Sequence, residues 1–142
     1  MIFVGNIREV QNGEYDEVWA IVRSQKNAST WMRQVVELSP SWELFRRVQE
    51  LKAKNQWNAD SFDKEYVPVF LREMREKSAR DRLNELFVRD KRGERIALVC
   101  FCPDERLCHR SIVAGLLQGV GCDVVTKSGA DFRHFSENYQ KI

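Results

Sequence analysis

The stretch Ile96-Ala97-Leu98-Val99-Cys100-Phe101-Cys102 is unbroken in its apolar character. A strand with one wet face alternates between apolar and polar residues, whereas a parallel strand covered on both faces reads as a continuous hydrophobic run. The run therefore predicts a central parallel strand. Downstream, Leu107 to Leu117 reads as a helix ended by Gly119 and Gly121, and Asp123-Val124-Val125-Thr126 reads as the next strand. Strand, helix and strand within about 30 residues make a βαβ unit, whose crossover is right-handed in nearly all known cases.

Working outward, Met1 to Val4 is a short β-type run closed by Gly5-Asn6, and Glu17 to Val22 is a more apolar one ending at Arg23-Ser24. The fold class expected is α/β, a small three-layer-like domain whose mostly parallel sheet has about 4 strands flanked by helices. Ser39-Pro40 predicts a helix over about 40–54, with Trp42, Leu44, Phe45, Val48 and Leu51 at helical spacing. Asp60-Ser61 predicts another, with Phe62, Tyr66, Val69, Phe70 and Met74 on one face; Pro68 inside it should kink or split it. A third, over about 78–88, carries Leu83, Leu86 and Phe87 and stops near Lys91-Arg92-Gly93, and a last one carries Phe132, Phe135 and Tyr139. Ser24 to Ser39 shows no clear period and reads as a loop lying over the site.

Length and composition agree with one domain spanning 1–142. A chain of 142 residues can bury well over half of its unfolded surface in a single core. With 43% hydrophobic and 31% charged residues it is globular in type, and a net charge of +2 is too small to argue for nucleic acid by itself. The apolar run at 96–102 falls far short of the roughly 20 residues a membrane helix needs. The start, Met1-Ile2-Phe3-Val4-Gly5-Asn6, has no basic leader or apolar stretch with a cleavage site, which predicts a cytoplasmic location. Four cysteines, Cys100, Cys102, Cys108 and Cys122, crowd the last third; in a reducing compartment that predicts thiols, metal ligands or redox chemistry rather than structural disulfides.

The segment from Cys100 to Ser111 is where chemistry is expected. It occupies the carboxyl end of the most buried strand and the amino end of its helix, the edge at which open α/β sheets bind ligands. Free amides and the positive end of a helix dipole attract anions and stabilise a thiolate in the first turn. Cys108 or Cys102 is thus a candidate reactive thiol, with His109 as base or orienter, and Arg110 and Arg23 as anion holders beside Ser111. Trp31, in the polar loop, is placed either to stack on a planar ligand or to anchor the loop. Cys100 and Cys102 alternate to the same strand face, so both look to a pocket or both pack as small apolar groups, and the packing reading leads. Cys122 reads as core. Trp42, Trp57, Tyr66 and Phe70 read as core or loop anchors, and His134 as structural.

These residues carry a resemblance. Ile21-Val22-Arg23 with Trp31 after it, Leu38-Ser39-Pro40-Ser41, and an aliphatic strand leading through a cysteine-rich turn to Cys108-His109-Arg110-Ser111 together resemble the family of domains of unknown function numbered 488 (DUF 488). The similarity covers nearly the whole chain. It implies a compact cytoplasmic α/β domain of bacteria and their phages, with Cys108, His109, Arg110 and Arg23 on the family's signature positions. Members have no assigned reaction, so the resemblance speaks for the site and leaves its chemistry and its status as an enzyme open.

Three functions compete. The first is a pocket for a small anionic, nucleotide-like molecule that contains a reactive cysteine. A cysteine-type phosphatase is disfavoured, because the arginine it wants six positions after its nucleophile falls on Cys108 or Ala114. The second is a zinc or iron module, since Cys-x-Cys followed after five residues by Cys-His supplies four suitable ligands; the first, which is preferred, has no resident cofactor. The third is an adaptor or nucleic-acid binder using Lys26, Arg33, Arg46, Arg47 and the 89–95 basic cluster, a pattern diluted by intervening acids. No membrane partner is expected, and oligomeric state is not addressed by the sequence.

Overall fold

The computed structural model describes residues 1–24 and 29–140. Five strands, β1 (Ile2–Asn6), β2 (Glu17–Ala20), β3 (Arg33–Gln34), β4 (Ile96–Cys100) and β5 (Val124–Thr126), form one sheet in the order β3-β2-β4-β1-β5. Every pairing is parallel. The expected α/β class holds, with a fifth strand added. All five residues of β4 are buried, as a strand at the centre of a parallel sheet must be.

The fifth strand is β3, inside the stretch read as a loop. Its two residues are polar and pair with Trp19 and Ala20 of β2, where the Arg33 guanidinium lies over the Trp19 ring at 4.5 Å, so no hydrophobic pattern announces it. The ladder of β2 outlasts its formal end, since the Ile21 amide donates to the Val99 carbonyl at 3.0 Å. β1 runs to Asn6, opposite Cys100. There the Asn6 side chain accepts the Arg8 amide while Glu9 accepts the Asn6 amide, a reciprocal cap on the turn over Ile7–Glu9.

Among the described residues six α-helices lie between and after the strands. α1 (Trp42–Ala53) begins two residues later than Ser39-Pro40 implies. The Ser39 hydroxyl is spent on the Val36 carbonyl, and Ser41 takes the capping role by accepting the Leu44 amide. α2 (Ala59–Ser61) leads through a wide π turn over Phe62–Tyr66 into α3 (Val67–Glu73). The Val67 amide bonds back five residues to the Phe62 carbonyl, so the chain arrives at Pro68 in a register that already departs from the α ladder a proline would break. Phe62, Tyr66, Phe70 and Met74 are buried, as their spacing predicts, together with Val67 and Leu71. α4 spans Lys77–Lys91.

α5 (His109–Gly119) crosses from β4 to β5, which lie on either side of β1. Nine of its residues, His109 through Leu117, are buried, because the sheet lies on one side and α3 and α6 (His134–Gln140) lie on the others. The contact with the segment entering α6 and with α6 itself is tight. A Cβ on Gly115 would lie 2.1 Å from the Phe132 carbonyl oxygen, and one on Gly119 would lie 2.1 Å from Ser136 Oγ. Among the described residues no helix is long and apolar enough to cross a membrane.

Candidate functional site: a cysteine and histidine cluster in an apolar cavity

The end of β4, the turn after it and the first residue of α5 bring four side chains together. Cys100 is the last residue of β4, Cys102 lies two residues on, Cys108 caps α5 and His109 begins it. The three Sγ atoms and a ring nitrogen of His109 all lie within 4.8 Å of one another. Cys100 Sγ touches Cys108 Sγ at 3.2 Å, and Cys108 Sγ stands 3.6 Å from His109 Nδ1. All four cysteines are free thiols.

The histidine is held from behind. Its Nε2 lies 2.8 Å from the Ile21 carbonyl oxygen, just past the end of β2. A carbonyl only accepts, so Nε2 carries the proton, and in the neutral ring Nδ1 turns a lone pair to the sulfurs. The Phe70 ring flanks the imidazole at 5.7 Å between centroids. Behind Phe70 the stack continues to Tyr66 at 5.9 Å and Phe62 at 5.4 Å. The π turn thus sets a column of rings that ends on the site histidine.

Arg110 organises the sulfurs. Its Nη1 donates to Cys100 Sγ at 3.2 Å and to the Cys102 carbonyl at 2.7 Å, and the same carbonyl accepts Asn6 Nδ2 at 3.0 Å. Ser111 Oγ donates to the Cys108 carbonyl at 2.8 Å. Hydrogen bonds from the Cys102 and Cys108 thiols, with the charge of Arg110 behind them, hold the Cys100 thiol well below the ordinary thiol range. Its partners move the other way: sharing a proton with Cys100 pushes Cys102 up to about 12, and burial pushes Cys108 well up. Of the three thiols, only Cys100 is shifted toward the thiolate. Burial opposes the charge of Arg110, but the neighbouring Cys100 outweighs it and the guanidinium is held more firmly protonated.

A cavity of about 440 Å³ opens onto this cluster. Cys100, Cys102, Cys108 and His109 form part of its lining, and Trp42, Phe45, Trp57 and Tyr66 supply aromatic surface. Trp42 and Phe45 are 50% and 42% exposed, unusual for large apolar groups on a helix that buries Leu44 and Leu51 beside them. Arg23 and Lys52 bring positive charge to the lining and Asp104 brings negative. Arg23 Nε donates to the Pro40 carbonyl, which ties the end of β2 to the start of α1.

Of the residues singled out from sequence, Cys102, Cys108, His109 and Arg23 line this cavity. Arg110 and Ser111 are buried behind it, holding the cluster rather than facing the space. Trp31 packs partly buried against the core and does not line the cavity. The loop expected over the site contributes Ser24, residues 25–28 lie outside those described, and α1 supplies much of the wall instead. Cys100 and the aromatic lining were read as packing. The spacing Cys-x-Cys with Cys-His five residues on was the available signal for Cys100; the aromatics had none, because their helical spacing is that of a core face. Of the basic residues considered for nucleic acid, Lys26 lies outside the described residues. Arg33 and Arg89 are engaged by Glu17 and Glu85, and Arg47 by Glu50 and Glu65.

Fold and site together define a small parallel α/β domain with a thiol and imidazole cluster at the carboxyl edge of its sheet. The chain belongs to the DUF 488 family: residues 7–121 match the family model DUF488-N3a, described as "Active DUF488-N3 subclade". No curated protein and no solved structure matches it.

Proposed function

We propose that this domain binds a flat, negatively charged small molecule, nucleotide-like in its chemistry, and presents it to the sulfur of the Cys100, Cys102 and Cys108 cluster. The observation that carries the reading is the continuity of that cluster with a cavity of about 440 Å³, a volume typical of small-molecule sites (roughly 300–1,000 Å³). Exposed Trp42 and Phe45 offer faces on which a planar group stacks, and Arg23 and Lys52 offer charge for an anionic group. Cys102 is the half-buried sulfur and so the one a ligand meets first, while Cys100 and Cys108 are each 1% exposed. His109 acts as orienter of Cys108, and Arg110 with Ser111 keeps the turn in place. Four free thiols suit a reducing cytoplasm.

The test is titration of the full chain with a panel of nucleoside mono-, di- and triphosphates and aromatic carboxylates, read by tryptophan fluorescence and calorimetry. The expected result is binding by at least one class, weakened about tenfold or more in Arg23→Ala, as for loss of one charged hydrogen bond. A panel that leaves fluorescence and heat unchanged would remove the reading.

A further inference from the structure

The four side chains at the cavity wall are also arranged as a metal-ligand set. We infer that Cys100, Cys102, Cys108 and His109 bind a divalent metal ion, zinc by their chemistry, through three sulfurs and Nδ1. The inference rests on the proposed function's reading of this cluster as the working end of the cavity, and goes beyond it by naming what sits there.

Distances come first. Tetrahedral zinc with bonds of about 2.3 Å to sulfur and about 2.0–2.1 Å to nitrogen sets its ligand atoms roughly 3.5–3.8 Å apart. Here Cys108 Sγ and His109 Nδ1 are 3.6 Å apart and Cys100 and Cys108 Sγ are 3.2 Å apart, with every ligand atom within 4.8 Å of the others. Small side-chain rotations suffice to close the set.

Orientation comes second. Metal-bound histidines almost always donate their remote ring N–H to a carbonyl or carboxylate, which fixes the tautomer and aims the other nitrogen. His109 does this with the Ile21 carbonyl at 2.8 Å. The backbone bearing the cysteines is fixed as well, by the bonds of Arg110 and Asn6 to the Cys102 carbonyl and of Ser111 to the Cys108 carbonyl.

Charge comes third. With zinc, three thiolates and a neutral imidazole leave a net charge of −1, which Arg110, 3.2 Å from Cys100 Sγ, neutralises. The protons displaced from the thiols leave to solvent and no oxidation state changes. Four protein ligands make a closed set of the structural type, with Cys102 the one ligand at the cavity side that is not fully buried.

The experiment uses the full chain expressed in zinc-supplemented medium and purified under reducing conditions without chelator. Metal analysis should find one zinc per chain. After exchange into cobalt(II), the protein should show the intense sulfur-to-metal charge-transfer bands and ligand-field bands of a tetrahedral three-thiolate site. Cys102→Ser should lower the charge-transfer intensity by about a third, in proportion to the sulfurs left, and Cys122→Ser should leave the spectrum unchanged. Wild-type protein that carries neither zinc nor iron, takes up no cobalt(II), and keeps the same Tm with and without added zinc overturns the inference, and needs no variant to fold. The two readings fail separately: ligand binding by demonstrably metal-free protein sinks the metal and keeps the pocket, whereas zinc without any ligand from the panel does the reverse.

Discussion

The Nε2 of His109 and the main-chain oxygen of Ile21, 88 positions apart in the chain, are joined by a buried hydrogen bond of 2.8 Å. It links the first residue of α5 to the end of β2 across the top of β4, so the residue that faces the sulfurs is positioned by a different strand from the one that bears them. His109→Ala leaves the Ile21 carbonyl without its partner in a buried place, at a cost of about 1–3 kcal/mol. Urea unfolding of metal-free protein should show that loss as a lower midpoint at unchanged slope; an unchanged midpoint would mean that the bond contributes nothing.

Gly115 sets two effects of opposite sign against each other. In an exposed helix interior, glycine to alanine gains about 1 kcal/mol. Here the added methyl would lie 2.1 Å from the Phe132 carbonyl oxygen, which a backbone atom cannot yield cheaply, and overpacking typically costs about 1–3 kcal/mol. Gly115→Ala should therefore lower Tm by several degrees, measured by circular dichroism, and loosen α6 first in hydrogen exchange.

The acid limb of stability should follow Glu17 and Glu85. A hydrogen bond from Arg33 at 2.7 Å holds the Glu85 carboxyl below the usual range. For Glu17, burial works upward, but bonds from Arg89, Trp19 and Arg33 outweigh it and the net direction is also down. A carboxyl whose folded pKa lies below its unfolded value of about 4.3 contributes fully above that value, and the contribution is lost as pH falls through the folded one. Urea midpoints should be flat from pH 7 to about 5 and drop below about 4; Glu85→Gln should lower the plateau and flatten the drop.

Cys122 should be the slow thiol. Burial, with Asp90 nearby, pushes it up to about 11, so at pH 8 only about one part in a thousand is thiolate. Peptide mass spectrometry after iodoacetamide treatment should find it labelled quickly only once the chain is unfolded. Rapid labelling of Cys122 in native protein would contradict the burial found here.

How far the chain could be read without its structure depends on what each residue's neighbours are. The run Ile96 to Cys100 was legible because both faces of β4 are covered, so hydrophobicity is continuous and its meaning unambiguous. The crossover to β5 was legible for the same reason, since α5 is free of polar residues from Ile112 to Leu117. Arg33 and Gln34 were not, because a two-residue edge strand of polar side chains leaves no hydrophobic alternation to read. Pro68 announced a disturbance in its helix, but a kink, a break and a π turn share that signal. At the site, Cys108, His109 and Arg110 stood out by chemistry. Trp42 and Phe45 did not, since an aromatic aimed at a cavity and one aimed at a core recur at the same helical spacing. Asn6, closing a strand, read as a turn residue, and its bond to the Cys102 carbonyl needed β1 and β4 to be seen side by side.

The order of the strands also bears on how the molecule behaves in a crowd. The longest strands, β1 and β4, lie inside the sheet, and its two borders are β3 with two residues and β5 with three. A border strand exposes unspent amides and carbonyls on which a neighbouring chain can nucleate. Here that template is only two or three residues long on either side, and the Arg33 guanidinium stands on one of them. A fully parallel sheet folds slowly and with its edges at risk; this one, once formed, gives another chain almost no purchase for adding a strand.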